Sequence, residues 1–359
     1  MINIRDVAES AEVSIATVSR VLNGNETVAP VLAERVRQAA SVLGYRPNGI
    51  ARNMRRQQTQ VWALIITDVT NPFFTSVARG VEDVAQENDY SVVLCNSDEI
   101  IEKETQYLKV AQQERAAGVI LTPRYSHADV SRLTASGIPL VVIDRKFDTP
   151  VDSVRADSFE GARRATQHLL DNGWTQPACI TGPVDSDIAL ERLAGYRAAV
   201  SDAGIPAVFS HVAFHAEGGG HSLSELLESG QPVDSLFVAN SMLALEVSEE
   251  LKRRELVAGK DLGMVAYDDA PWTRLLTPSI SVIAQPAYEI GTQAARLLVE
   301  RIAGLAPATP RTIVLDTTLI QRDSSVRAVT SVGNRKSGRR RSSDGLSERA
   351  VARGDRLTS

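Results

Sequence analysis

Between Ser14 and Asn23 the chain carries side chains suited to a DNA duplex. Arg20 can fork across O6 and N7 of a guanine, and Ile15 and Ala16 can press on thymine methyls. Ala16 and Arg20 are four residues apart, so a helix puts them on one face, away from Val18, Val21 and Leu22. Ser14, Thr17, Ser19 and Asn23 offer hydroxyls and an amide to phosphates, which positions a helix without reading sequence. A second set suits a neutral polyol. Asn71, Phe73 and Phe74 follow one apolar run, Asp144-Arg145 another, Asn240 a third and Asp268 a fourth. Arg192 opens a helical stretch and Gln285 lies in a connector. Carboxylates and amides bond hydroxyls in pairs, arginines fork across adjacent oxygens, and aromatic faces stack on C–H surfaces.

The elements that must hold these groups are legible on each side of residue 60. Ile4, Val7, Ala8 and Ala11 have helical apolar spacing. After a break at Glu12-Val13, Ser14 is placed to cap a helix from Ile15 to Asn23, ended by Gly24. Pro30 opens a third helix that runs to Leu43, with Gly44 as its stop. Two helices joined by about four residues with a third behind them describe a helix-turn-helix. Tyr45 to Asn48 is a connector whose Tyr45 and Asn48 add possible phosphate contacts. Asn48 can cap a basic segment from Gly49 to Arg56, and Gln57 to Gln60 is polar and hinge-like.

From Val61 the pattern changes. Apolar runs occur at Trp62–Ile66, Ser91–Leu94, Gly118–Leu121, Leu140–Ile143, Ala178–Ile180, Ser235–Val238 and Gly263–Ala266. Helical stretches such as Phe74–Asn88, Phe159–Asn172 and Arg192–Ala203 alternate with them. Short buried strands alternating with helices specify a parallel sheet in an α/β fold. About 260 residues is large for one such sheet, so two lobes are expected. Ligands of such sheets sit beyond the C-terminal ends of the strands, where the polyol-binding candidates fall.

Composition narrows the classes. The 359 residues are 43% hydrophobic, enough for a sizeable core. Cys95 and Cys179, the only cysteines, lie 84 positions apart, with no disulfide framework, which fits a reducing cytoplasm. Met-Ile-Asn-Ile-Arg-Asp does not read as a signal peptide, and no apolar run reaches the ~18 residues of a membrane span. Residues 1–60 carry eight arginines against five acids, and residues 324–359 nine basic against three acidic residues. The remainder holds 14 more acids than bases, so only the ends suit a polyanion. The basic tail, 324–359, reads as disordered and shows no leucine heptads for a tail-built tetramer.

Enzyme chemistry finds little support. There is no Gly-x-x-x-x-Gly-Lys-Ser/Thr loop, His-Glu-x-x-His or Gly-x-Ser-x-Gly elbow, and Gly218-Gly-Gly220 reads as a loop. Three of the five histidines, His211, His215 and His221, fall within eleven residues, at spacings that suit no firm metal site. No cofactor, metal or catalytic residue is expected.

Asp6-Val-Ala8, Val13-Ser14, Ala16-Thr-Val-Ser-Arg-Val-Leu-Asn23, Leu43-Gly-Tyr-Arg-Pro-Asn48 and Ala51-Arg52 occur in order and at close spacing. The chain thereby resembles the LacI/GalR family of transcriptional regulators from about Ile2 to Ser324. The resemblance implies a cytoplasmic homodimer on a near-palindromic operator, with Ile15, Ala16 and Arg20 reading bases. It implies a minor-groove hinge helix at Ala51, Arg52, Met54 and Arg55. Met54 stands where the family commonly has a wedging leucine; methionine, unbranched and apolar, can also wedge.

The body resembles the sugar-binding fold of type I periplasmic binding proteins. The expected architecture is therefore a small all-α helix-turn-helix domain (1–47), a hinge helix and linker (48–60), and a two-lobed α/β effector-binding and dimerisation domain (61–323). Lobe one spans about 61–156 and 287–318, and lobe two 157–286 and 319–323, with crossings near Asp157, Pro286 and Leu319. In type and order Asn71, Phe73, Phe74, Asp144, Arg145, Arg192, Asn240, Asp268 and Gln285 resemble the pocket of the bacterial ribose-binding protein and of ribose-type repressors, with Phe214 as a further stacking residue. The resemblance implies a ribose-like sugar that releases DNA by rotating one lobe against the other. A nucleoside, a purine or another sugar is the alternative effector, and a sugar-acting α/β enzyme the rival class. Ser241 and Ala266 depart from the aspartate and glycine usual in the family.

Overall fold

The computed structural model describes residues 2–22, 27–45, 59–213 and 218–327. The candidates Asn23, Asn48, Ala51, Arg52, Met54, Arg55 and Phe214, and the tail from 328, lie outside these described residues.

Three helices form the N-terminal unit: α1 (Ile4–Ser10), α2 (Ile15–Leu22) and α3 (Pro30–Val42). The Asn3 side chain accepts from the Arg5 amide at 2.8 Å, and Asp6 returns the favour to the Asn3 amide at 2.7 Å. Ser14 Oγ accepts from the Thr17 amide at 3.1 Å, the cap expected from sequence. Gly44, at φ 64°, supplies the left-handed residue that ends α3. Val7, Val18 and Val36 are fully buried between the helices, together with Ala8, Ala11, Val21, Ala39 and Ala40. Each valine so buried stabilises the unit by about 1.5–3 kcal/mol. Arg35 of α3 ties down the α1–α2 turn, donating to Ala11 O at 2.6 Å and pairing with Glu12 at 3.0 Å.

The body contains two six-stranded sheets. The first has the order β11-β5-β4-β3-β1-β2, all parallel, from β1 (Val61–Ile66), β2 (Ser91–Asn96), β3 (Gly118–Leu121), β4 (Leu140–Ile143), β5 (Asp152–Ala156) and β11 (Thr312–Leu315). The second has the order β12-β10-β9-β8-β6-β7, from β6 (Pro177–Thr181), β7 (Val208–His211), β8 (Ser235–Val238), β9 (Gly263–Tyr267), β10 (Ser281–Ala284) and β12 (Thr318–Ile320). Only the β10–β12 pairing is antiparallel. Both central sets are apolar and fully buried, as strands covered by helices on two faces must be.

The helices are α4 (Pro72–Glu87), α5 (Ile101–Gln113), α6 (Ser131–Ala135), α7 (Ser158–Asp171), α8 (Asp187–Asp202), α9 (Gly219–Glu228), α10 (Ser241–Arg253) and α11 (Ala287–Ile302). Glycines bring two pairs together with backbones in contact. A Cβ on Gly80 of α4 would sit 2.3 Å from Tyr288 O of α11, and one on Gly291 would sit 2.2 Å from Val77 O. On α8, a Cβ at Gly195 would lie 2.1 Å from Phe159 O of α7.

Four details differ from the sequence reading. The chain crosses between sheets after Ala156, after Ala284 and between Leu315 and Thr318; the last crossing precedes Leu319, because Thr318 already pairs with Ala284. The tail does not begin at 324. Ser324 and Ser325 are fully buried, and Trp174 Nε1 donates to Ser325 O at 2.7 Å, so the folded body continues to Arg327. Arg192 is not at the start of its helix, which opens at Asp187. Gly219 and Gly220 open α9 rather than form a loop.

Asp152 anchors the first sheet at one side. Its buried carboxylate accepts from Arg301 Nε and Nη2, each at 2.8 Å, from the Arg311 amide at 2.7 Å and from Arg311 Nη2 at 3.2 Å. Burial opposes its ionisation, but the hydrogen bonds from Arg301 and Arg311 outweigh that and hold the carboxyl below its ordinary range. Asp152→Ala is expected to cost about 3 kcal/mol at neutral pH, because two arginines lose their shared partner. A lowered folded value means the contribution is complete above the unfolded carboxylate range and fades as pH falls through the lowered value. The gap between wild type and variant in urea denaturation should therefore narrow with acidification; a gap that widens contradicts this.

Candidate functional site

On α2, Ser14, Ile15, Ala16 and Arg20 are exposed, while Val18 and Val21 are buried. The helix thus presents the three candidate base-reading side chains to solvent from a rigid three-helix base. Thr17 is half-buried and shares a 2.9 Å hydrogen bond with Ser14, so these two hydroxyls are set at the helix start. Ser19 and Tyr45 are also half-buried; the Tyr45 ring packs against the helical core and its amide bonds Ala40 O at 2.8 Å. A basic side chain and free first-turn positions on one exposed face fit a phosphate-lined groove.

In the body, Asn71, Phe73, Phe74, Asp144, Arg145, Arg192, Asn240, Asp268 and Gln285 line one small cavity of about 30 Å³. Nine positions spread over more than 200 residues of sequence meet because eight of them follow a strand, open a helix or lie in a crossover between the two sheets, and Arg192 reaches the same place from within α8.

The two lobes use one plan. Asn71 caps α4 by accepting from the Phe73 amide at 3.0 Å, and Asn240 caps α10 by accepting from the Met242 amide at 2.7 Å. In each case Oδ1 is spent on the helix, which leaves the side-chain NH₂ as the donor available to a ligand. Asp144 directly follows β4 at φ 69°, and Asp268 directly follows β9 at φ 72°. Their amides bond the next strand, Asp144 N to Val154 O at 3.0 Å and Asp268 N to Ile283 O at 2.8 Å. A left-handed non-glycine residue costs about 1–3 kcal/mol, here met twice at matching places.

Charge is concentrated in this wall. Burial pushes the carboxyls of Asp144 and Asp268 up; Arg145 and Arg192 pull Asp144 back in part, as Arg192 and Gln285 do for Asp268. Arg192 donates to Ala239 O at 2.7 Å and lies 3.8 Å over the Tyr267 ring. Gln285 Nε2 donates to Asp268 Oδ1 at 2.7 Å. Three buried polar atoms here have no hydrogen-bond partner among the described residues, the donors Arg145 Nε and Arg192 Nε and the acceptor Gln285 Oε1. Buried groups are ordinarily satisfied, so an unmatched donor and acceptor in one wall suit a ligand carrying both functions, as a hydroxyl does. Phe73 and Phe74 supply the apolar part, edge to face with centroids 5.0 Å apart.

Sequence reading missed Thr67, Asp68, Glu99, Ile188 and Met242, which also line the cavity. Glu99 matters most. It forks with Arg145, one arm Arg145 Nη1 to Oε2 at 3.0 Å and the other Nη2 to Oε1. It also pairs with Arg124 Nε at 3.4 Å, and Arg124 Nη2 reaches Asp185 at 2.9 Å. Asp185 lies beyond β6, so this chain of charges links the cavity wall to the facing lobe. Glu191 of α8 adds further cross-lobe pairs, with Arg155 at 3.3 Å and Lys146 at 3.6 Å. Glu99 lies in the loop three residues beyond β2, which extends to Asn96.

Comparison with known proteins agrees with this architecture. Residues 3–48 match the model for bacterial regulatory proteins of the lacI family, and residues 59–327 match that for periplasmic binding proteins and the sugar binding domain of the LacI family. The chain belongs to the LacI family and is a DNA-binding transcriptional regulator. It is 36% identical over 303 residues to the ribose operon repressor of Halalkalibacterium halodurans, covering 84% of this chain and 91% of that one. It is 34% identical over 308 residues to the ribose operon repressor of Escherichia coli K12, covering 84% and 93%. The lac repressor dimer bound to operator and the anti-inducer ONPF shares the fold, with TM-score 0.80 and 24% identity over 90% of this chain and 99% of that one.

Proposed function

We propose that this chain represses transcription as a cytoplasmic homodimer on a near-palindromic operator, and that a small sugar, ribose or a similar pentose, releases it. The observation that carries the reading is the convergence of nine separately placed polar and aromatic residues on one cavity between two sheets. The names of the relatives point the same way. Ile15, Ala16 and Arg20 are the proposed base readers, and Ser14, Thr17, Ser19 and Tyr45 the proposed phosphate contacts. The protein has a binding role and no catalytic one. Among the described residues no helix is long and apolar enough to cross a membrane, and no cluster suits a metal ion.

The mechanism follows from the division of the wall. Asn71, Phe73, Phe74, Asp144 and Arg145 come from the first sheet's side, and Arg192, Asn240 and Asp268 from the second's. A hydroxylated ligand that bonds both sets favours the lobe arrangement in which both reach it. Ligand energy thus shifts the lobe equilibrium only as far as its affinity differs between arrangements. Linkage makes the effect mutual: operator binding weakens the sugar by the factor by which sugar weakens the operator. The test is to select an operator from random duplexes with the purified protein, then follow its fluorescence anisotropy during a ribose titration. Saturable release supports the reading; operator binding indifferent to every pentose tried sinks it.

A pH dependence follows. Ligand hydroxyls donate best to ionised carboxylates, so binding favours the ionised forms of Asp144 and Asp268. Both carboxyls titrate above their ordinary range. Sugar affinity should be greatest above those raised values and fall as pH drops through the range in which they titrate. Calorimetry across that range checks this, and affinity that rises on acidification contradicts it.

A further inference from the structure

A second cavity of about 250 Å³ adjoins the first and shares Phe73, Asp268 and Gln285 with it. Its remaining wall has a different chemistry. Thr75 and Ser76 bring hydroxyls from the N-terminal part of α4, Ser241 is the first residue of α10, and Arg274 closes the 3-10 turn Pro271–Arg274. Two helices of 16 and 13 residues therefore present their N-terminal ends to this compartment. Asn71 and Asn240 already occupy amides of those first turns, so the helices contribute field, and the hydroxyls and Arg274 contribute donors.

Two observations point to an occupant. The Ser241 hydroxyl lines the compartment, is fully buried, and has no hydrogen-bond partner among the described residues. Arg274 is exposed and forms no ion pair among the described residues, unlike the two acids of the same wall. Asp269 is matched by Arg322 at 2.6 Å, and Asp268 accepts from Gln285 at 2.7 Å in the shared partition. Thr75 Oγ1 already donates to Pro72 O at 3.0 Å, so the remaining donors of the wall are one guanidinium and the hydroxyls of Ser76 and Ser241 near the positive ends of two helices, a set suited to a phosphoryl group.

We propose that this compartment receives a phosphoryl group attached to the sugar, so that the preferred effector is a pentose phosphate ester. This rests on the sugar reading of the first cavity and extends it. The partition of Phe73, Asp268 and Gln285 faces both spaces, so one ligand can place its ring in the first and its ester in the second. The geometry suits an ester at either end of the pentose, and the probes therefore include both.

The experiment is calorimetry of the full chain with D-ribose, ribose 5-phosphate and ribose 1-phosphate, repeated for Ser241→Ala and Arg274→Ala. At least one ester should bind about tenfold or more tightly than ribose, the worth of one or two charge-assisted hydrogen bonds. Each variant should shrink that advantage while leaving ribose affinity unchanged, since neither residue lines the first cavity. Ribose binding as tight as both esters, or an advantage that survives in both variants, overturns the proposal and leaves the sugar reading standing. Failure of ribose and both esters alike would overturn the sugar reading itself, and this proposal with it.

Discussion

Arg20→Ala should abolish discrimination between the operator and random duplex DNA while leaving the protein folded. Arg20 is exposed on α2 and makes no hydrogen bond or ion pair among the described residues, so its loss removes nothing from the three-helix core. A bidentate contact to guanine discriminates by about 1–3 kcal/mol, and a dimer makes it in both half-sites. The ratio of specific to nonspecific affinity should fall roughly 10²- to 10⁴-fold. Nonspecific affinity, set by phosphate contacts, should change little beyond the loss of one charge per subunit. Competition binding at fixed salt measures the ratio. A ratio unchanged in the variant would remove Arg20 from the reading face.

The second large effect is expected in the cavity. Asp268→Asn preserves shape but replaces a buried carboxylate with an amide. A hydrogen bond to a charged acceptor is worth about 1.5–3 kcal/mol, so ribose affinity should fall roughly 10- to 150-fold. Operator affinity without sugar should be retained, and the variant should hold operator at sugar concentrations that release the wild type. A variant that binds ribose as tightly as wild type would place Asp268 in a purely structural role, as a left-handed strand end bonded to Gln285.

Much of this site was legible in sequence because each of its residues sits in a local setting with a strong signal. Asp144 and Asp268 follow runs so uniformly apolar that the strands could hardly be missed, and the strand-end rule then marks the next residue. Ser14 is a good cap before an amphipathic helix, and Val18, Val21 and Arg20 divide inside from outside by spacing alone. The strands that escaped are β5, β7, β10, β11 and β12, and all but β10 lack a continuous buried run. β5 alternates buried and half-buried residues because it carries Asp152 and Arg155, and β11 alternates exposed and half-buried residues at a sheet edge. β7 is an edge strand with every residue half-buried.

The cavity residues that escaped did so for a related reason. Glu99 lies in a polar loop, and its value comes from Arg145 and Arg124, which reach it from loops far away in sequence. No local pattern announces a partner 46 residues distant. The boundary at 324 failed similarly: Ser324 and Ser325 are polar and look like the start of a tail, yet each is buried by long-range hydrogen bonds. Ser324 Oγ donates to Met264 O at 2.7 Å, and Ser325 Oγ bonds Ser281 Oγ at 2.6 Å. Arg192 was found by its residue type and neighbours, although its helix begins five residues earlier, because the first turn, Asp187 to Leu190, carries no clear cap.

The most direct measurement is calorimetric titration of the purified full chain with D-ribose, with glucose, galactose and adenosine as controls. The account predicts saturable heat with one site per subunit for ribose, and weaker or absent heat for the controls. Arg145→Ala and Phe74→Ala should each reduce the ribose signal, through loss of a buried donor with its anchor for Glu99 and of an apolar face. A silent ribose titration beside a clear signal from a control compound would contradict the pentose assignment of the cavity.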